Sequence, residues 1–189
     1  MSSAKRKRVF DLMMAALLLI PSSVIVFLCA AIIAFECRGN PIFVQRRVGQ
    51  HGLSFNLIKI RTMHINTVSV PSHQADVNQV LKVGKLIRRF KIDELPQIIN
   101  VIKNEMSFVG PRPCLESQTE VISERAKLGV DVLKPGITGL SQICGIDMAR
   151  PKMLARKDAE YLQSYGLRFD LKIIYRTLVG SGTGDAISS

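Results

Sequence analysis

A chain of 189 residues has room for one domain of ordinary size, or for a domain with an anchor, and it is long enough to bury a real core. Its formal charge of +11 narrows the partners to anionic ones: nucleic acid, an anionic membrane surface or a phosphate-rich substrate. Four cysteines, Cys29, Cys37, Cys114 and Cys144, form no CxxC pattern, which argues against a zinc site or a disulfide framework and for reduced thiols in the cytosol.

The basic cluster Lys5–Arg8 leads into an uncharged apolar run from Leu12 to Phe35, longer than the roughly 20 residues that a membrane-spanning helix needs. Pro21, Ser22 and Ser23 fall near its middle. Proline removes a helix hydrogen bond, while serine hydroxyls can recapture the freed carbonyls; a sharp bend at Pro21 and Ser22 would leave two half-helices of about 14 to 20 Å each, and a kinked spanning helix is as well supported by the residues alone. Neither half crosses a hydrocarbon core of about 30 Å. Basic residues flank the run on both sides, with Arg38, Arg46 and Arg47 following it. A re-entrant hairpin keeps both clusters in the cytoplasm, whereas a kinked spanning helix sends one of them across.

Beyond Gly39 the composition becomes that of a soluble domain. Ile42–Val44 and Phe55–Ile60, separated by Gly49 and Gly52, read as a short hairpin. Thr62–Asn78 is polar and aperiodic, the pattern of a mobile loop, and His51, His64 and His73 lack metal spacing. Helical periodicity returns at Val80, Val83 and Ile87, and again at Leu95, Ile98, Ile99 and Ile102. The second helix is expected to begin with Asp93 as N-cap and Pro96 in its first turn. Pro135-Gly136 and Gly139 mark a turn-rich connection. Pro151–Tyr161 and Asp170–Leu178 read as helices, the latter amphipathic and suited either to the membrane interface or to the core.

The chemistry concentrates between Arg88 and Pro113. Asp93 and Glu94 are adjacent carboxylates, and consecutive residues on a helix do not face each other, so a shared proton is poorly served. One carboxylate acting on the substrate and the other holding a cation fits better. Lys59, Arg88, Arg89 and Lys91 lie nearby in sequence, and Arg112 stands between two prolines that hold it extended, preorganised for phosphate. Simple capping by Asp93 and solvated cations is the plainer alternative.

Taken together, KRVFD (7–11), PIFVQRRVGQHGLSFNLIKIRTM (41–63), DELPQ, FVGPRP, PGITGLSQICG (135–145) and Asp158-x-x-Tyr161 followed by DLKII (170–174) resemble, in order and over nearly the whole chain, the bacterial sugar transferases. More narrowly, they are similar to the small monotopic phosphoglycosyl transferases. The resemblance implies an α+β, predominantly helical fold: a re-entrant membrane helix hairpin with its basic anchor (1–38), a small cytosolic catalytic domain with a short β-hairpin and interfacial amphipathic helices (39–179), and a flexible tail (180–189). It implies transfer of a phosphosugar from a UDP-sugar, expected to be an N-acetylated amino sugar, to undecaprenyl phosphate at the cytoplasmic face of the bacterial inner membrane, with release of UMP.

Carried over by motif position, Asp93 is the nucleophile, Glu94 the Mg²⁺ ligand, and Lys59, Arg88 and Arg112 the phosphate contacts. Asp158, Tyr161 and Asp170 match too, as supporting or structural residues. The chain departs from the family where PGITG usually runs on to GRN, since Gly145-Ile146-Asp147 lacks the arginine and puts the sugar pocket in doubt. The competing class is a membrane-tethered basic module that binds nucleic acid or anionic lipid without chemistry. With 6% aromatic residues and no nucleic-acid signature, nucleic acid is not an expected partner. The oligomeric state stays unread.

Overall fold

The computed structural model describes residues 3–65, 67 and 77–180. His73, most of the Thr62–Asn78 loop and tail residues 181–189 lie outside the described residues.

The first helix, α1 (Ser3–Cys37), runs unbroken for 35 residues with Pro21 inside it. The expected division into two separate half-helices is therefore not seen. The two serines that follow the proline add hydrogen bonds beside it, to carbonyls one to three residues before the proline. Ser22 Oγ donates to the carbonyls of Leu18 (2.5 Å) and Leu19 (3.2 Å), and Ser23 Oγ to that of Ile20 (2.7 Å). Carbonyls around the proline thus keep donors where hydrocarbon offers none. Both ends of α1 pack on the rest of the chain, while Leu19, Ile20, Val24 and Ile25 near its middle are exposed. Among the described residues it is the one helix long and apolar enough to cross a membrane.

The expected hairpin forms from β1 (Ile42–Val48) and β2 (Ser54–Ile60), which pair antiparallel, with β1 extending past the expected Val44. The aperiodic loop beyond β2 is closed at its base. Met63 and Val80 form an antiparallel bridge, and Leu81 N–H donates to the Thr62 carbonyl at 3.0 Å. Next come α2 (Lys82–Arg89), a 3-10 turn over Ile92–Gln97, and α3 (Ile98–Ile102).

This region corrects the expectation of a helix capped by Asp93. The N-cap position belongs to Lys91, in the left-handed region at φ 56°, and no side chain caps the turn. Pro96 has no N–H to donate to Ile92, so the tighter 3-10 pattern holds until Ile98. The expected apolar stripe splits accordingly. Ile98 is buried, whereas Ile99 and Ile102 are exposed, and Val101 takes an inward position.

Four further elements leave no local signal in the sequence: β3 (Ser107–Val109), α4 (Thr119–Lys127), β4 (Gly136–Thr138) and α5 (Leu140–Ile143). Strands β3 and β4 pair in parallel, Ser107 opposite Gly136 and Val109 opposite Thr138. The pairing brings two backbones so close that a Cβ on Gly136 would collide with the amide of Gly110. Glycine is required there, which gives the PGITG segment a packing role. The chain ends in α6 (Pro151–Gln163) and α7 (Leu167–Leu178), the latter beginning before the expected Asp170. Ile173 of α7 is fully buried, while Leu171, Tyr175 and Leu178 face outward, so this helix both packs on the core and exposes an apolar edge.

Mostly helical, with two two-stranded sheets, the fold is α+β as expected. Its main core joins Ala15 of α1 to Leu57, Ile98, Val101, Met106, Phe108, Tyr161 and Ile173. A second core joins Ile33 and Cys37 of α1 to Ile60, Leu81 and Ile87. The two ends of α1 therefore feed two different cores, and β2 links them, with Leu57 in one and Ile60 in the other.

Candidate active site

The carboxylate pair sits on the segment that joins the two cores. Ile92 packs against the second and Ile98 is buried in the first, so the 3-10 turn is pinned at both ends. Asp93 is 2% exposed and Glu94 8%. Strand β2 lies against this turn, and Asn100 of α3 fixes the approach: its Oδ1 accepts from the Ile58 amide (3.1 Å), and its Nδ2 donates to the Asn56 carbonyl (2.7 Å). A fully buried asparagine thereby sets the distance between the carboxylates and the cations of the hairpin.

Arg112 meets the pair directly. Its Nη2 donates to Glu94 Oε1 at 2.9 Å, a charge-assisted bond between largely buried partners. Its carbonyl accepts from Arg125 Nη1 at 2.8 Å, so the residue is held from both directions. Arg88 reaches across from α2, donating from Nε to Thr62 Oγ1 at 2.8 Å. This approach depends on Gly84, where a Cβ would collide with the Thr62 carbonyl. Arg88 Nη1 is buried without a hydrogen-bond partner in the protein. A buried donor left unpaired costs about 1–3 kcal/mol, which is recovered when a ligand oxygen supplies the acceptor.

Lys59 Nζ lies 5.6 Å from the Phe43 ring centroid, and Arg61 lies 5.6 Å from the same ring. Arg61 Nε is also buried without a partner. The sequence reading did not single out Arg61, although it stands two residues beyond Lys59, on the same face of an extended segment. Arg61, next to Thr62 in the chain, and Arg88, bonded to Thr62, thus each carry a buried N–H without an acceptor in the protein.

Asp158, Tyr161 and Asp170 do not join the carboxylate pair. Asp158 binds Arg125 at 2.8 Å and accepts from Ser141 Oγ at 2.8 Å. It reaches the site only through Arg125 and the Arg112 carbonyl. Burial pushes its carboxyl above the usual range, against the pull of Arg125. Tyr161 donates to Asp170 Oδ1 at 2.6 Å, and Lys7 donates to Asp170 Oδ2 at 2.6 Å. These two residues fasten the start of α1 to α6 and α7. Arg125 and Ser141 escaped the sequence reading because their partners lie far along the chain.

Among the described residues no group of three or more His, Cys, Asp or Glu side chains converges as a metal cage. The donor set nonetheless fits Mg²⁺, which is commonly bound by one or two carboxylates together with substrate phosphates. Arg112 engages Oε1 of Glu94, and a carboxylate has two oxygens with about four acceptor positions, so Glu94 retains capacity for a cation.

Residues 2–182 match the family model described as bacterial sugar transferase. The chain belongs to the bacterial sugar transferase family. Among relatives of this sugar transferase, the UDP-glucose:undecaprenyl-phosphate glucose-1-phosphate transferase of Caulobacter vibrioides is 36% identical, over 95% of this chain and 71% of its own length. An uncharacterized sugar transferase of Bacillus subtilis, EpsL, is 38% identical, over 91% of this chain and 85% of its own. The UDP-N-acetylgalactosamine-undecaprenyl-phosphate N-acetylgalactosaminephosphotransferase of Aeromonas hydrophila is 30% identical, over 91% of this chain and 42% of its own length. Sugar transferases related to this one are thus named for different sugars on a common lipid carrier.

Proposed function

We propose that the protein is a phosphoglycosyl transferase that moves a phosphosugar from a UDP-sugar to undecaprenyl phosphate, releasing UMP, through a covalent intermediate on Asp93. The observation that carries this reading is a buried Asp93-Glu94 pair with Arg112 on Glu94, on a turn packed against β2 and α2, beside whose ends Arg61 and Arg88 carry unpartnered N–H groups. A cationic pocket around two carboxylates suits a diphosphate approached by a nucleophile.

In the first step an Asp93 carboxylate oxygen bonds to the sugar-bearing phosphorus, the bond from that phosphorus to the bridging oxygen breaks, and UMP leaves with the electron pair. In the second, a phosphate oxygen of undecaprenyl phosphate attacks the same phosphorus and the Asp93 carboxylate departs. Arg88, Arg112, Lys59 and Arg61 orient the diphosphate and offset its charge. Arg112 also pairs with Glu94, which leaves the two neighbouring carboxylates in separate roles. Glu94 would hold Mg²⁺, which when bound supplies positive charge to the departing phosphate.

Membrane placement follows the same reading. Lys7 binds Asp170, and Arg8 donates to the carbonyls of Val101 (2.6 Å) and Ile102 (3.0 Å), so the start of α1 lies on the catalytic side. Its end is held there as well, by Glu36 on the Lys82 amide at 2.6 Å. A helix held at both ends by one domain, with its middle exposed and apolar, enters and leaves one leaflet, and the catalytic domain faces the cytoplasm.

An N-acetylated amino sugar is the first donor to test. UDP-glucose is the second reading, favoured by the name of the 36% identical relative from Caulobacter. Nucleotide release should be measured over a panel of UDP-sugars, with undecaprenyl phosphate and Mg²⁺, for the wild-type chain and Asp93→Asn. Release is expected to vanish in the variant, and donor alone should leave a phosphosugar mass on the peptide containing Asp93. Full turnover by Asp93→Asn would overturn the nucleophile assignment.

A further inference from the structure

A cavity of about 510 Å³ opens at the start of α1, between that helix, the Asn104–Ser107 and Val132–Lys134 segments and the end of α6. Its volume falls in the range of about 300–1,000 Å³ typical of small-molecule sites. None of Asp93, Glu94, Lys59, Arg88 and Arg112 lines it, so it is separate from the carboxylate pair.

Three cations line this space, Lys7, Arg8 and Lys134, against one carboxylate, Asp11. Their partners differ in kind. Lys7 is neutralised by Asp170 at 2.6 Å, and Asp11 Oδ1 is taken by Ser107 Oγ (3.1 Å) and the Phe108 amide (3.2 Å). Arg8 and Lys134 meet only neutral acceptors: the carbonyls of Val101 and Ile102 for the first, the Asn104 side-chain oxygen for the second. Burial, and then the charge of Arg8, hold the Lys134 ammonium below its usual range. Arg8 has five N–H donors and Lys134 three, more than these contacts use. Two cations that form no ion pair among the described residues therefore face one cavity, with Asp11 acting on Lys134 only at longer range.

Position indicates the source of an anion. Ala4, Lys7 and Arg8 of the cavity adjoin the exposed apolar residues Val9, Leu12 and Met13, with only the buried Asp11 charged among them. The opening thus stands at the boundary between polar and apolar surface, where a phospholipid presents its phosphate and directs its chains along α1.

We infer that this cavity binds the phosphate group of an anionic phospholipid between Arg8 and Lys134, as a lipid site distinct from the transfer centre. Binding does not depend on the transferase reading and is measured without turnover. Full-length protein in a zwitterionic detergent is titrated with phosphatidylglycerol or phosphatidylcholine and observed by native mass spectrometry, with inorganic phosphate as competitor.

The wild-type chain is expected to retain one phosphatidylglycerol in preference to phosphatidylcholine. Lys134→Gln should weaken retention by about ten- to hundredfold, the loss of one charge-assisted contact, while Lys134→Arg and the distant surface variant Lys172→Gln retain it. Displacement by inorganic phosphate identifies the phosphate group alone as sufficient; retention against it shows that the acyl chains contribute. Equal binding by Lys134→Gln and wild type, equal loss in Lys172→Gln, or no preference for the anionic lipid would overturn the inference.

Discussion

Arg112 carries two separate duties through two parts of one residue. Its guanidinium pairs with Glu94, and its carbonyl receives Arg125. Substitution of the side chain leaves the carbonyl in place, so Arg112→Gln should preserve the melting temperature within a few degrees while lowering kcat by about 10²- to 10³-fold, the cost of removing one preorganised donor. Nucleotide release measured beside a thermal melt separates the two. The tyrosines offer a test by pH. Burial holds Tyr161 well above the usual phenol range, with the Asp170 charge adding to it, and pushes Tyr165 up to about 12. Both folded values exceed the unfolded value near 10, so their contribution is complete below about pH 10 and is lost as pH climbs through that of the folded state. Phenolate absorbance of these two residues should therefore rise together with unfolding, and Tyr161→Phe should reduce that step. The grouping of Asp93, Glu94, Arg88 and Arg112 is visible in the sequence because they lie in one local stretch with prolines that fix it, and the structure buries the two carboxylates and sets Arg112 on Glu94. Arg61 is not visible there, since only its burial beside Phe43 and its vacant Nε mark it out.

At the scale of elements, what the sequence conveys depends on how local the pairing is. The hairpin and α6 were legible, from β-branched runs around Gly49 and Gly52 and from Pro151 at a helix start. Strands β3 and β4, three residues each, were not, because neither has a period of its own and each exists only beside the other. The carboxylate turn was misread as an α-helix because Pro96 reads equally as a first-turn proline or as the cause of a 3-10 turn; the left-handed Lys91 decides between them. Helices α4 and α6 are tied by Arg125 and Asp158, a buried pair whose separation along the chain hides it from any local pattern. Arg125→Met leaves the Asp158 carboxylate buried and unpaired, a change that costs about 3–5 kcal/mol. Chemical denaturation in detergent should show that loss, and adding Asp158→Leu should recover part of it. A second substitution that gives no recovery would contradict the pairing as its cause.

For the molecule as a whole, the proposed re-entrant placement rests on the contacts at both ends of α1. Cysteines placed at Ser3 and at His51, each exposed, in a background without the native four, should react with a membrane-impermeant maleimide from the same side of sealed inner-membrane vesicles. Opposite-side reactivity would exclude the re-entrant arrangement. The unbroken path of α1 through Pro21 shows why composition alone left the segment ambiguous: apolar content gives a length, whereas the contacts that hold the two ends of the helix are formed with residues far along the chain.

The bond between Lys7 and Asp170 spans 163 positions of the chain. At 5–20 residues per second, a ribosome makes the second partner roughly ten to thirty seconds after the first. Lys7 must therefore wait for its carboxylate until nearly the whole chain has been translated, long after Arg8 can reach the carbonyls of Val101 and Ile102. A nascent chain interrupted before α7 keeps the bonds of Arg8 to Val101 and Ile102 but leaves Lys7 without its carboxylate.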